Sequence, residues 1–240
     1  MSTRRGRGVP SVAAGALATL TVLGCAARPS APGGSAAAVH FPTPDGGDVY
    51  GHLYGAGSHG VVLAHGGRFN KESWAPQARI LARAGFRVLA IDFRGYGSST
   101  GPGQEDVLAA PLHLDVLAAV RYLRESGSDR VSAIGGSLGG AAAAGAAAAQ
   151  PGSLDRLVLL GSTPDGPPEA LTLPKLYIAT RDDVSGSGPR LPGLQAHYDR
   201  APQPKELILL DGSAHAQFMF ETAHADRIMR EILRFLDSSR

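Results

Sequence analysis

Short apolar runs and stretches with helical spacing alternate along most of this chain. The apolar runs are continuous, which is typical of strands that are buried on both faces of a parallel sheet. Strands are predicted over 49–55, 60–66, 86–93, 130–136, 155–161, 173–183 and 205–212, and helices over 73–85, 105–127, 138–150, 188–201 and 221–239. Pro111 is expected to kink or split the second helix, because proline removes a backbone donor. The pattern therefore predicts an α/β fold, a mostly parallel sheet with helices on both faces.

Composition narrows the class of protein. The chain has 240 residues, enough for one domain with a sizeable core once a targeting segment is set aside. Its formal net charge is +2, and it lacks a basic stripe with interleaved aromatic residues, so nucleic acid is not an expected partner. Its one cysteine, Cys25, allows neither an intrachain disulfide nor a cysteine-based metal cluster.

The N-terminal segment has the pattern of an export signal. Three arginines without an acidic residue precede a mildly apolar stretch that is short for a membrane span. The stretch ends in Val22-Leu23-Gly24-Cys25, which resembles the lipobox of bacterial lipoproteins and implies lipidation of Cys25. A plain secretory signal that is cleaved elsewhere is the alternative. With either signal, the protein is expected to be exported. If Cys25 is lipidated, the protein is expected in the cell envelope, anchored to a membrane.

The segment that follows is rich in alanine, proline and glycine and predicts a flexible tether. The expected organisation is a signal peptide over 1–24, a tether over 25–38 and a folded domain over 39–240.

A G-x-S-x-G sequence occupies Gly135–Gly139, between a predicted strand and an alanine-rich predicted helix. In that context the pattern is typical of a nucleophile elbow, a sharp turn that holds the serine in a strained backbone conformation. Side chains two residues away would collide there, which accounts for the glycines. Ser137 is therefore the candidate nucleophile, and the alternative is a glycine-rich turn with an incidental serine.

With this elbow, the chain resembles the α/β-hydrolases over residues 45–240, and the resemblance implies that fold. Residues 61–67 resemble the His-Gly segment that follows the third strand of those enzymes. By that resemblance, the backbone N–H groups of Gly67 and Leu138 would form an oxyanion hole, with Arg68 as a less favoured donor than Gly67. His65 is expected to be a structural hydrogen-bonding residue rather than a catalytic one.

A second segment, Asp92–Ser98, resembles the D-x-R-G-x-G-x-S turn that is common in the superfamily. The resemblance implies an architectural role, in which Asp92 and Arg94 tie loops together beneath the site.

Two further strand ends resemble those that carry the acid and the base of these enzymes. Asp183 is the candidate acid, with Asp182 as its rival because the usual glycine is absent. His215 follows the last predicted strand and is the candidate base, whereas its competitor His224 is predicted to lie inside the final helix. The order serine, aspartate, histidine matches that of the superfamily.

The resemblance implies a serine hydrolase that acts on ester-type acyl substrates without a metal or organic cofactor. Only 14 residues separate Leu160 from Lys175, too few for a helical lid, so a small enzyme without a cap domain is expected. Esterases and dienelactone-hydrolase-like proteins are the expected relatives, although dienelactone hydrolases proper carry cysteine where Ser137 stands. A monomer that binds a small-molecule ester is expected.

Other functions stay open on the sequence alone. Peptidases, thioesterases and perhydrolases use the same three residue types, and a membrane-tethered binding protein could keep the fold without turnover.

Overall fold

The computed structural model of the protein describes residues 36–238. The predicted signal peptide, Cys25 and the predicted tether up to residue 35 lie outside this range, so they stay predictions. Between residues 36 and 238, no helix combines the length and the apolar character needed to cross a bilayer.

A single large sheet organises the domain. The strands are β1 (Ala37–Pro42), β2 (Asp48–Tyr54), β3 (His59–Ala64), β4 (Arg87–Ile91), β5 (Arg130–Gly136), β6 (Arg156–Leu160), β7 (Lys175–Thr180), β8 (Val184–Ser185), β9 (Gly188–Pro189) and β10 (Lys205–Leu210). Eight of them form the sheet in the order β1-β2-β4-β3-β5-β6-β7-β10, and β8 pairs with β9 in a small separate hairpin. Strand β2 pairs antiparallel with β1 and β4, and the remaining pairs of the large sheet are parallel, which confirms the predicted fold class.

Helices cover both faces of this sheet. They are α1 (Ala75–Arg83), α2 (Leu112–Glu125), α3 (Leu138–Ala149), α4 (Leu191–Arg200) and α5 (Ala225–Asp237). One apolar cluster joins the sheet to α1 and α5, and a second joins it to α2, α3 and α4. Neighbouring residues of β3 alternate between the two clusters: Val61 and Leu63 face α1 and α5, and Val62 and Ala64 face the other helices. This burial on both faces explains the continuous apolar runs of the sequence.

Several elements differ from the sequence prediction. The second predicted helix is interrupted at Pro111 as expected, but the residues before this proline form turns, so α2 begins only at Leu112. Strand β1 was not predicted; it starts two residues inside the segment assigned to the tether and pairs antiparallel with β2. The last helix begins at Ala225, four residues later than predicted, after a 3-10 turn at Ala216–Glu221.

The connection from β6 to β7 stays short. Within residues 161–174 the structure contains a 3-10 turn at Pro168–Ala170 and no α-helix. This confirms that a helical cap is absent from this connection. The carboxyl ends of the parallel strands are therefore not covered by a helix inserted there.

A buried lysine lies at the opposite end of the parallel strands, where they begin. Lys175, at the start of β7, is inaccessible to solvent, and its Nζ donates hydrogen bonds to the carbonyl oxygens of Pro202 and Pro204. Burial, together with the neighbouring charge of Lys205, lowers the pKa of Lys175 from 10.5 to about 8. The charged form of this side chain is thus less stable in the folded protein than in the unfolded chain.

This shift predicts a pH dependence of stability. The folded protein loses the Lys175 proton at lower pH than the unfolded chain, so the free energy of unfolding should rise from pH 8 towards pH 10.5. The slope from this group is at most about 1.4 kcal/mol per pH unit. Urea unfolding of wild type and Lys175→Met across that range should show a wild-type curve that rises relative to the variant. Parallel curves would contradict the assigned shift.

Candidate active site

The candidate catalytic residues lie at one edge of the sheet, because parallel strands bring their carboxyl ends together. Ser137 follows β5 directly, Asp183 follows the end of β7 by three residues, and His215 lies in the loop after β10. These three strands are close neighbours in the sheet order, although the residues are far apart in sequence.

The three side chains form a continuous hydrogen-bonded chain. His215 Nε2 lies 2.9 Å from Ser137 Oγ, and His215 Nδ1 lies 2.6 Å from Asp183 Oδ2. An ionised carboxylate only accepts hydrogen bonds, so Nδ1 carries the proton and Nε2 is free to accept from the serine hydroxyl. This tautomer is the one that a general base needs to receive a serine proton.

The two candidate acids, Asp182 and Asp183, have different surroundings in the structure. Asp183 is buried, whereas Asp182 is exposed and its backbone N–H donates to the carbonyl oxygen of Gly212. Arg190 Nε lies 3.5 Å from the other oxygen of Asp183 and forms an ion pair with it. Asp183 is therefore the carboxylate that contacts His215.

The rival histidine is placed elsewhere. His224 lies immediately before α5, not inside it as predicted, because α5 begins at Ala225. Its Nε2 is 3.1 Å from the carbonyl oxygen of Asp211, so its side chain holds the end of the loop after β10. The structure thus brings Ser137, Asp183 and His215 together and leaves His224 out of the chain.

The turn around Ser137 has the strained backbone expected of the elbow, with φ at 48°. The turn depends on close approaches of backbone to backbone. A Cβ on Gly135 would lie 2.4 Å from the carbonyl oxygen of Gly139, and one on Gly139 would lie 2.2 Å from that of Ala64. The predicted collision at these two glycines is therefore confirmed. Ser162, which the sequence analysis missed, adds a hydrogen bond of 2.8 Å from its Oγ to the Ser137 carbonyl.

The expected oxyanion loop lies next to the elbow. A Cβ built on Gly67 would be 3.8 Å from the side chain of Leu138, so the residues with the two expected donors are neighbours. The hydroxyl of Tyr96 donates to the carbonyl oxygen of Gly67 at 3.0 Å and helps to fix the peptide between Gly67 and Arg68 in this loop. Arg68, the alternative donor, has an exposed side chain one residue further along the same loop.

His65 is fully buried beneath this loop. Its Nδ1 donates to the carbonyl oxygen of Gly66 at 2.9 Å, and its Nε2 accepts the backbone N–H of Phe93 at 3.3 Å. Burial lowers the pKa of His65, which favours the neutral ring that these two bonds require. The predicted structural role of His65 is confirmed.

The architectural role of the Asp92–Ser98 turn is confirmed as well. Asp92 accepts hydrogen bonds from the backbone N–H and the Nζ of Lys71, at 2.7 and 2.6 Å. Arg94, also fully buried, pairs with Asp115 at 2.6 Å and with Asp45 at 2.6 Å. These ion pairs join the loops beneath the site to α2 and to the turn between β1 and β2.

The sequence analysis also missed Gln217. This side chain is buried, and its Oε1 accepts the backbone N–H of Gly66 at 2.7 Å. A signal was present in the sequence, since Gln217 is the polar position of an otherwise apolar run two residues after His215.

Comparison with known proteins identifies the family. A sequence model of the alpha/beta hydrolase fold family matches residues 61–219, and the chain therefore belongs to this family. Its fold is similar to that of the esterase Pf2001 of Pyrococcus furiosus, with a TM-score of 0.71 and 20% identity over 84% of this chain and 91% of that one.

Curated relatives match over shorter segments. The chain is 37% identical over 116 residues to the 2-hydroxy-6-oxononadienedioate/2-hydroxy-6-oxononatrienedioate hydrolase of Cupriavidus pinatubonensis, covering 47% of this chain and 39% of that protein. It is 38% identical over 100 residues to protein phosphatase methylesterase 1 of Mus musculus, covering 40% of this chain and 26% of that protein. The chain thus spans less than half the length of either relative.

The close approach at Gly139 predicts the effect of adding one methyl group. Gly139→Ala should lower the free energy of unfolding by about 1–3 kcal/mol or more, because the helix must move away from β3. Gly193→Ala is the matched control: this glycine lies inside α4, and a Cβ there would meet no atom within 4 Å. The control should be neutral or slightly stabilising, by up to about 1 kcal/mol. Equal urea midpoints for the two variants would contradict the close approach.

Proposed function

We propose that this protein is a serine hydrolase that cleaves carboxylic esters of small molecules through an acyl-enzyme. The observation that carries the proposal is the hydrogen-bonded chain from Ser137 through His215 to Asp183. Membership of a family of hydrolases supports it.

In the proposed reaction, Ser137 Oγ attacks the ester carbonyl while His215 Nε2 takes the hydroxyl proton. Asp183 keeps the ring in the required tautomer and stabilises the imidazolium that forms. The carbonyl oxygen becomes an oxyanion, which the backbone N–H groups of Gly67 and Leu138 are proposed to hold. His215 then gives its proton to the leaving alkoxide, and the alcohol departs.

Water completes the cycle. His215 removes a proton from the water as it attacks the acyl-enzyme, and a second tetrahedral intermediate collapses to release the carboxylic acid. The proton returns to Ser137 Oγ, so the enzyme is regenerated and no cofactor is consumed.

An ester is the substrate class that the surroundings of the site favour. The absence of a helical cap between β6 and β7 leaves room for a flexible acyl or alcohol group at the strand ends. One curated relative is a methylesterase, and one structural neighbour is an esterase. Peptide and thioester substrates use the same chemistry, so the assays below include them as competitors.

Loss of the nucleophile gives the first test. The full chain should react with a fluorophosphonate probe, in which Ser137 Oγ bonds to phosphorus and fluoride leaves, and Ser137→Ala should not react. The same variant should lose hydrolysis of p-nitrophenyl acetate, butyrate and octanoate, assayed beside a thioester and a peptide anilide. A folded wild-type protein that neither reacts nor turns over any of them would favour the non-catalytic binding protein instead.

The pair of adjacent carboxylates gives a second test. Asp183→Asn should lower kcat by about 10³- to 10⁴-fold, because the neutral amide no longer holds the reactive tautomer of His215. Asp182→Asn removes the same charge one residue away, from an exposed side chain, and should leave kcat within about twofold of wild type. The measurement is ester hydrolysis at saturating substrate. Similar losses in both variants would argue against Asp183 as the proposed acid.

A further inference from the structure

Gln217 lies between two parts of the proposed site. Its carboxamide oxygen accepts the backbone N–H of Gly66, the residue directly before Gly67. A Cβ built on Gly136, directly before Ser137, would lie 3.3 Å from that same oxygen. One buried carboxamide therefore hydrogen-bonds to the oxyanion loop and lies beside the strand end that leads into the elbow.

The other end of the carboxamide is fixed as well. Its Nε2 donates to Ser73 Oγ at 2.7 Å, and Ser73 Oγ donates to the carbonyl oxygen of Asn70 at 2.5 Å. This chain anchors Gln217 to the 3-10 turn at Lys71–Trp74, which itself holds Asp92 through Lys71. Both ends of the amide are satisfied, so its orientation is defined.

The backbone between His215 and Gln217 is held in an unusual conformation. Ala216 is buried and has φ at 50°. Among residues 36–238, Ser137 and Ala216 are the two non-glycine residues with positive φ. Such a conformation is strained and persists only where the surroundings enforce it.

Because of this conformation, the side chains of His215 and Gln217 point to different parts of the proposed site. The side chain of His215 contacts Ser137, and that of Gln217 accepts the backbone N–H of Gly66, the residue before Gly67. The strained backbone thus presents the proposed base and a support of the proposed oxyanion loop from one short turn.

We propose that Gln217 is a positioning residue for the oxyanion hole. It does not touch substrate; by holding the Gly66 N–H, it fixes the following peptide so that the Gly67 N–H points at the developing oxyanion. This inference rests on the proposed esterase function and adds to it a residue that acts through the loop.

The physical reason for an effect on rate is the narrow geometry of such a site. Donors stabilise an oxyanion when they lie within about 2.7–3.1 Å of its position, and loss of one donor slows catalysis by about 10²- to 10³-fold. A loosened donor should cost less than a lost one. Because the interaction forms only in the transition state, kcat should fall and KM should not change.

The test uses the full chain and two substitutions that break the Gly66 contact in different ways. Gln217→Met keeps the size and removes the hydrogen bonds, and Gln217→Asn keeps the amide and shortens its reach. Each variant that folds should lose about 10- to 100-fold in kcat for p-nitrophenyl butyrate, with KM within about twofold. Ser73→Ala leaves the Gly66 contact in place and should lose less.

A second readout separates positioning from stability. An alkyl trifluoromethyl ketone adds to Ser137 Oγ as a tetrahedral adduct, the hydroxyl proton passes to His215, and the former carbonyl oxygen occupies the proposed hole. Its inhibition constant should rise in the Gln217 variants by the same factor as kcat falls. Met219→Ala is the control for stability, since Met219 is buried in the same 3-10 turn and packs in the apolar cluster below. It should lower Tm while kcat and the inhibition constant stay at wild-type values.

The outcomes distinguish this inference from the function on which it rests. If wild type hydrolyses esters and Ser137→Ala does not, but a folded Gln217 variant keeps wild-type kcat and inhibition, only the positioning role is overturned. Equal losses in Met219→Ala would overturn it too, because a general loosening would then explain the effect. If wild type itself shows neither turnover nor probe labelling, the proposed function fails, and the positioning role fails with it.

Discussion

The turn from β5 into α3 depends on how closely the first residues of that helix approach β3. Gly139 lies so near the carbonyl oxygen of Ala64 that any side chain there would separate the two elements. This contact, with the hydrogen bonds at the Ser137 carbonyl and N–H, holds Ser137 at a positive φ that it would otherwise leave. The same close approach brings Leu138 beside Gly67. The contact between α3 and β3 therefore places both the Ser137 hydroxyl and the two residues that carry the expected oxyanion donors.

Buried polar contacts help to hold the loops around that turn. Arg94 pairs with two carboxylates, and Asp92 binds both the backbone and the side chain of Lys71. Buried ion pairs of this kind add little net stability compared with apolar replacements, but breaking one partner is costly, so they fix the loops in one arrangement.

Most of the sheet could be predicted from the sequence, because strands buried on both faces are mainly apolar. β4, β5, β6, β7 and β10 fall within the predicted runs, and β2 and β3 begin one residue before theirs. Strand β1 lacks that signal: it is an edge strand with only Phe41 fully buried, and pairing with β2 defines it. The last helix begins four residues later than predicted, because residues 222–224 form a bend and a turn after the 3-10 turn at Ala216–Glu221.

The sequence by itself determined the fold class, because apolar runs and helical stretches alternate along it. It also determined the elbow, because the glycines around Ser137 form a short local pattern. The order of the candidate residues followed from the resemblance to the α/β-hydrolases. Tertiary structure alone decided that Asp183 and not Asp182 faces His215, that His224 binds the Asp211 carbonyl, and that Gln217 reaches Gly66, 151 positions away in the chain. A local pattern encodes the path of the backbone. The direction in which a side chain points at the end of a strand depends on elements that are distant in sequence and meet only when the sheet forms.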